Sequence, residues 1–424
     1  EVYERVRNLA CKLYPLTQKE QRVALFSGNS PQAIIFLYAL LLLKKEVLML
    51  NTGLNAQELT RQIEQGGVRL VFSAQEEYFS FAQAEQLPET AVELVWEYDR
   101  ESIAVIMNTS ATTGNFKSVP IRWKQIEAQV QASAQILGVQ KEDNWLVVLP
   151  IFHVSGLSIL FRSLYNGTRL TILPRFQEEK VLELINQGQV NLISLVPTLL
   201  KRIIAGIKHS DLRVILLGGE FIPQALIEES QAKGLPIYKT YGMTETMSQS
   251  ATFNILEYPD KIQAVGRPLP GVEIQIREPD SAGIGEIYLK SPMLMDGYLG
   301  QEPLAGYLAT GDMGYLDEDG FLFVFNRRKD LIISGGENIY PKEIEDLLYK
   351  LPEVRECAVV GKTDEKWGQV PVLYVVSSLA EEELKQYLLQ NLAKYKLPRQ
   401  IIFRSELPKN PSGKILRKQL WESL

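Results

Sequence analysis

The chain has 424 residues, too many for one ordinary core, so two or more domains are expected. Hydrophobic residues make up 46% and charged residues 23%, which excludes disorder on compositional grounds. A net charge of -6 excludes a broad basic face, and no nucleic-acid partner is expected.

The sequence opens at Glu1 in mid-amphipathic pattern, so a short N-terminal piece is expected to be missing. Short apolar runs at 22–26, 46–50, 69–72, 103–107, 145–149, 170–173, 192–195, 214–217 and 237–239 read as strands. Several are apolar throughout, as in strands covered on both faces. Helical patterns such as 31–43 and 177–187 lie between them, giving the βαβ rhythm of an α/β protein. The longest apolar run, 33–43, falls short of the roughly 20 residues that cross a bilayer and reads as a buried helix. No membrane span is expected. After Pro259, short β segments at 273–277, 285–290 and 321–325 suggest a β-rich subdomain over about 260–328. A boundary near Arg328 closes a large N-terminal domain, 1–328. Beyond it, 329–424 reads as a small, mobile α+β domain, with helices at 341–351 and 381–392 and strands near Ala358 and Leu373. Two distant cysteines, Cys11 and Cys357, exclude a disulfide framework and suit the cytoplasm. Two histidines, His153 and His209, without HExxH or CxxC spacing, give a zinc site no support.

Five segments hold residue types that carry chemistry. Residues 108–118, after a strand, offer hydroxyls, Gly114 and Lys117 in the manner of a polyphosphate loop, though GxxxxGK[ST] is absent. A plain polar loop is an equal reading. In 238–246, Tyr241 offers a ring for a base, and Glu245 among hydroxyls offers oxygen to Mg²⁺. A third segment, 307–312, ends in Asp312, either a ribose acceptor or an Asp in a turn before a strand. The fourth, 327–341, joins a charged cluster to a Gly pair and a Pro at a helix start, as a flexible joint would. The fifth, 407–417, sets Lys414 on a Gly-containing turn.

In this order and at these separations, the five segments resemble the acyl-adenylate-forming (AMP-binding) superfamily from about Val23 to Arg417. Residues 144–158, 193–198, 216–219, 330–341 and 367–371 resemble its o-succinylbenzoate-activating subfamily of menaquinone biosynthesis. The resemblance implies a phosphate loop of Thr109, Ser110, Thr112, Thr113, Gly114 and Lys117. It places Tyr241 on adenine, with Gly242 beside it, Thr244 at phosphate and Glu245 at magnesium. Asp312 and Arg327 hold ribose, and Gly218 and Gly219 line the acyl and adenine pockets. His153, Ser155 and Gly156 fall near the acyl group, Lys329 at the hinge, and Lys414 between carboxylate and α-phosphate. Ala111 and Ser118 stand where the family has Gly, and Phe116 where it has Pro. The interval from Gly300 to Tyr307 is also short for the family.

The implied activity is an acid–thiol ligase. A carboxylate, o-succinylbenzoate first, attacks ATP with Mg²⁺ present, pyrophosphate leaves, and CoA takes the acyl group after the small domain turns. A CoA ligase for another aryl or fatty acid, a peptide-synthetase adenylation domain and an inactive nucleotide-binding homologue are the alternatives. A homo-oligomer follows by family analogy.

Overall fold

The computed structural model describes residues 1–95, 97–109, 116–208, 211–219, 222–327, 330–334, 337–365, 367–409 and 415–424. The first sheet holds β1 (Arg22–Phe26), β2 (Glu46–Leu50), β3 (Val71–Ser73), β4 (Phe79–Ser80), β5 (Ile103–Thr109) and β6 (Lys117–Arg122). Their order is β4-β3-β1-β2-β5-β6, parallel except for the β5–β6 pair. The apolar strands are sandwiched. In β1 and β2, Val23, Leu25, Val47 and Met49 face one core, and Ala24, Phe26, Leu48 and Leu50 face another. The first core lies under α1 (Val2–Thr17) and α2 (Pro31–Leu42), the second under α3 (Ala56–Gln65). Helix α2 starts where the Ser30 side chain accepts from the Ala33 N–H, with Pro31 in the first turn. A short α4 (Phe81–Glu85) completes this layer.

After α5 (Trp123–Leu137) comes a seven-stranded sheet. It is built from β7 (Asn144–Val147), β8 (Arg169–Ile172), β9 (Leu192–Leu195), β10 (Val214–Gly218), β11 (Ile237–Met243), β12 (Ser248–Asn254) and β13 (Arg267–Pro268). The order is β13-β12-β11-β10-β9-β7-β8, parallel from β11 to β8. Trp145, Val147, Leu192, Val214 and Leu216 share the core beneath the first sheet, which binds the two sheets together. Leu146, Ile193, Leu195, Ile215 and Leu217 face the opposite core. Helices α6 (Val154–Asn166), α7 (Glu178–Asn186), α8 (Pro197–Ile203) and α9 (Gln224–Ala232) connect the strands.

A four-stranded antiparallel meander follows: β14 (Glu273–Arg277), β15 (Gly285–Lys290), β16 (Leu308–Leu316) and β17 (Leu322–Arg327). The chain ends in an α+β unit of β18 (Ile332–Ser334), β19 (Glu337–Ile339), α10 (Pro341–Leu348), β20 (Val354–Asp364), β21 (Gly368–Ser377), α11 (Glu381–Asn391), β22 (Gln400–Phe403) and α12 (Arg417–Glu422). Two cores of this unit draw only on residues after 331. Helix α10 docks on the meander, where Lys342 Nζ donates to the Val324 carbonyl and the Tyr340 hydroxyl to Asp280 at 2.8 Å. The architecture is thus α/β, with a large N-terminal part and a small C-terminal one. The expected boundary at Arg328 lies outside the described residues.

Two local expectations change. The strand expected at 237–239 runs on as β11 to Met243 and pairs with β12. Asp312 is not in a turn before a strand but within β16, opposite Arg327 on β17.

Candidate active site

A cleft of about 1110 Å³ opens between the large part and the C-terminal unit. Thr109 at the end of β5, Lys117 on β6, Met243 on β11 and Thr244 with Glu245 just beyond it contribute to one wall. Asp330, Val360 and Arg417 line the wall of the C-terminal unit. Ligand clefts at the carboxyl ends of parallel strands are the rule in open α/β sheets.

At one end the charged groups hold each other. The Tyr298 hydroxyl donates to Glu245 Oε1 at 2.9 Å, and Lys117 Nζ lies 4.6 Å above the centre of the Tyr298 ring. Nearby, the Tyr241 hydroxyl donates to Asp312 Oδ2 at 2.6 Å. Asp312 is only 6% exposed, and its backbone N–H donates to Thr310 Oγ1 at 3.0 Å. The phenol therefore comes from the large sheet and the carboxylate from the meander, joined beside the cleft.

The turn carrying Thr244 and Glu245 ends in unusual backbone. Met247 has φ 53° and Ser248 φ 123°, neither of them glycine. Such conformations persist where the surroundings enforce them. Here the buried Thr246 hydroxyl donates to the carbonyls of Met243 and Ser248 at 3.2 and 3.3 Å. Gly242 is required by the same crowding, since a Cβ there would sit 1.6 Å from the Ser248 carbonyl oxygen.

A second group of residues lies on α6 and just before it. His153 precedes the helix, lines the cleft and packs against Phe152 with ring centres 4.9 Å apart. Burial lowers its pKa, favouring the neutral ring. Gly156 lets the helix start approach the segment that follows β7, because a Cβ would lie 2.3 Å from the Pro150 carbonyl oxygen. Two turns further, Arg162 is 2% exposed. Its Nη2 donates to Ser248 Oγ at 3.1 Å, and its plane lies 5.8 Å from the Trp145 ring centre. Nε and Nη1 have no hydrogen-bond partner among the described residues. Burial pushes its pKa down to about 9, a sign of what holding this cation costs.

The sequence-predicted residues divide accordingly. Thr109, Lys117, His153, Gly242, Thr244 and Glu245 line the cleft. Tyr241 and Asp312 stand directly behind it as a hydrogen-bonded pair. Gly218, Gly219, Ser155 and Gly156 are not in the cleft wall. Gly218 instead permits close packing on β11, where a Cβ would meet the Thr240 carbonyl oxygen at 2.5 Å, and Gly219 adopts φ 84°. Ser118, at a family glycine position, is in β6 and donates its hydroxyl to Asn108 Oδ1 at 2.7 Å. Ser110, Ala111, Thr112, Thr113, Gly114, Lys329 and Lys414 lie outside the described residues, as does the Arg327 side chain. Sequence reasoning missed Tyr298 and Arg162. A lone cation in the apolar run 157–164 was the available signal for Arg162; Tyr298 carried none beyond an aromatic residue after Gly297.

Fold and cleft define an adenylating enzyme, and the chain belongs to the AMP-binding enzyme family: that family's model matches residues 1–299, and the model of the AMP-binding enzyme C-terminal domain matches 343–414. It is 56% identical to the 2-succinylbenzoate–CoA ligase of Lactococcus lactis over 99% of this chain and 94% of that protein. The o-succinylbenzoate CoA synthetase of Bacillus subtilis, in complex with its acyl-adenylate intermediate, superposes with a TM-score of 0.93 at 35% identity, over 99% and 92% of the two chains. The same enzyme with ATP and a magnesium ion gives 0.91 at 36% identity, over 99% and 93%.

Proposed function

We propose that this chain is an ATP-dependent acid–thiol ligase that adenylates 2-succinylbenzoate, releases pyrophosphate and transfers the acyl group to CoA. The identity of 56% across nearly the full length of both proteins carries this reading. One further feature suits this acid. 2-Succinylbenzoate keeps a second carboxylate when the first is activated, and the buried Arg162 guanidinium, with two nitrogens lacking a partner among the described residues, is the receptor proposed for it.

The substrate carboxylate attacks the α-phosphorus in line as the bond to pyrophosphate breaks, and negative charge gathers on the phosphoryl oxygens. Lys117 faces that charge from β6, and Lys414 is assigned to the α-phosphate and the attacking carboxylate. Glu245 suits magnesium: it lines the cleft, and an ion bound mainly by phosphate oxygens and water needs only one or two carboxylates. When bound, magnesium would neutralise polyphosphate charge. Asp312, aligned by Tyr241, accepts from ribose hydroxyls. The acyl-adenylate forms in the cleft, shielded by the C-terminal unit. Residues 329–424 then turn about Lys329, withdrawing Lys414 and admitting the CoA thiol.

No described helix is long and apolar enough to cross a membrane. By family analogy the chain is proposed to work as a homo-oligomer in the cytoplasm, an assembly that sedimentation would test. The function is tested by pyrophosphate release with 2-succinylbenzoate against benzoates and fatty acids, with and without CoA. Selective release with 2-succinylbenzoate, and its CoA ester in the products, is the expected outcome. Preference for a simple fatty acid would refute the substrate.

A further inference from the structure

The segment around Tyr298 stitches the two halves of the nucleotide end together. The Met295 N–H donates to the Glu245 carbonyl at 2.8 Å, and the Leu299 N–H to the Ser118 carbonyl at 2.9 Å. One backbone bond thus reaches the Glu245 turn and the other reaches β6, next to Lys117. Arg122 Nε donates to Asp296 Oδ2 at 2.6 Å, and buried Gln125 Nε2 to the Leu294 carbonyl at 2.8 Å, which fastens the segment to the start of α5. Gly297 has φ 147°, a conformation L side chains rarely adopt, so Tyr298 enters the cleft from a tightly defined turn.

We propose that Tyr298 is a positioning residue that sets Glu245 for the metal–nucleotide and holds Lys117 ready for the polyphosphate. Its hydroxyl engages Oε1 of Glu245. That fixes the carboxylate rotamer and leaves its outward lone pairs for a cation. Its ring faces the Lys117 ammonium. A cation–π contact is weak enough to yield to a phosphate, so Lys117 is kept in the cleft until the nucleotide arrives. One side chain thus coordinates both charges of the site. The inference rests on the proposed adenylating function, but not on the identity of the acid.

The test is binding of α,β-methylene-ATP over a magnesium titration, with Tyr298→Phe and Tyr298→Leu alongside the unaltered enzyme. Tyr298→Phe keeps the ring and loses the hydroxyl. It should bind the analogue normally without magnesium, yet need about tenfold more magnesium for half-maximal tightening, the size of one hydrogen bond to a charged group. Tyr298→Leu should add a loss of roughly two- to fivefold in binding without magnesium, through Lys117. Melting curves check folding, and the Phe variant alone decides if the Leu variant is unstable. An unchanged magnesium midpoint in Tyr298→Phe would overturn the proposal. So would an equal loss with and without magnesium, which marks a merely structural role. No acid is present in this assay, so a wrong acyl substrate would surface only in pyrophosphate release and leave this result standing.

Discussion

Glu245, Tyr298 and Lys117 all line the cleft and engage one another, whereas Arg162, outside the cleft wall, is buried with two nitrogens that have no hydrogen-bond partner among the described residues. The Glu245 group is preorganised from within, its charges already partnered, and under the proposed function a polyphosphate exchanges one partner for another. Arg162 instead is a cation held at a cost in stability, which under the same proposal the second carboxylate of the acid relieves. Under that proposal the first group orients and the second selects.

Breaking the nucleotide end should have the largest effect. Glu245→Gln should lower the rate of pyrophosphate release about 10²–10³-fold, as loss of an electrostatic stabiliser does, with little change in KM for the acid. Steady-state assays at saturating magnesium check this. Changing Arg162 should separate function from stability. Arg162→Met should raise KM for 2-succinylbenzoate roughly tenfold to a hundredfold while the melting temperature holds or rises, because an unpaired buried charge is lost. A melting temperature that collapses would mean that Arg162 is structural. A finer probe is Tyr241→Phe, which removes the donor to Asp312. KM for ATP should rise by about fivefold, the scale of one hydrogen bond, with the acid unaffected.

The smallest effect is expected away from both groups, where α10 meets β11 and β17. Asp346 is raised to about 6, first by burial, although Lys342 and Lys239 pull it down. Its Oδ1 has no hydrogen-bond partner among the described residues. Between roughly pH 4 and 6, the folded chain then keeps a proton that the unfolded chain releases. Stability through this group falls as pH rises across that window. Asp346→Asn should remove that decline, visible as a melting-temperature difference from the unaltered protein that changes between pH 4 and 6 and is flat above it.

Much of the scaffold was legible because burial on both faces writes itself as uninterrupted apolar runs. β1, β2 and β9 match their expected spans of 22–26, 46–50 and 192–195. Strands carrying chemistry were harder. Thr310-Gly311-Asp312 has the composition of a turn, yet the meander continues through it in β16. β6 begins at Lys117 inside what reads as a polar loop, and Pro120 disguises it further, a residue an edge strand tolerates. At the site, residues with local signatures (Glu245 among hydroxyls, Tyr241 before a glycine) were found from sequence. Tyr298 and Arg162 were not, because their roles arise from contacts 53 and 86 residues away along the chain.

Under the proposed function, ATP activates the acid before CoA takes it. The most direct measurement is the product formed from 2-succinylbenzoate, ATP, magnesium and CoA, by mass spectrometry alongside pyrophosphate release, for the unaltered enzyme and Lys414→Ala. The unaltered enzyme should give 2-succinylbenzoyl-CoA and AMP. The variant should lose adenylation yet keep thioester formation from supplied acyl-adenylate. Normal adenylation without Lys414, or no acyl-CoA from the unaltered enzyme, would contradict the proposed function.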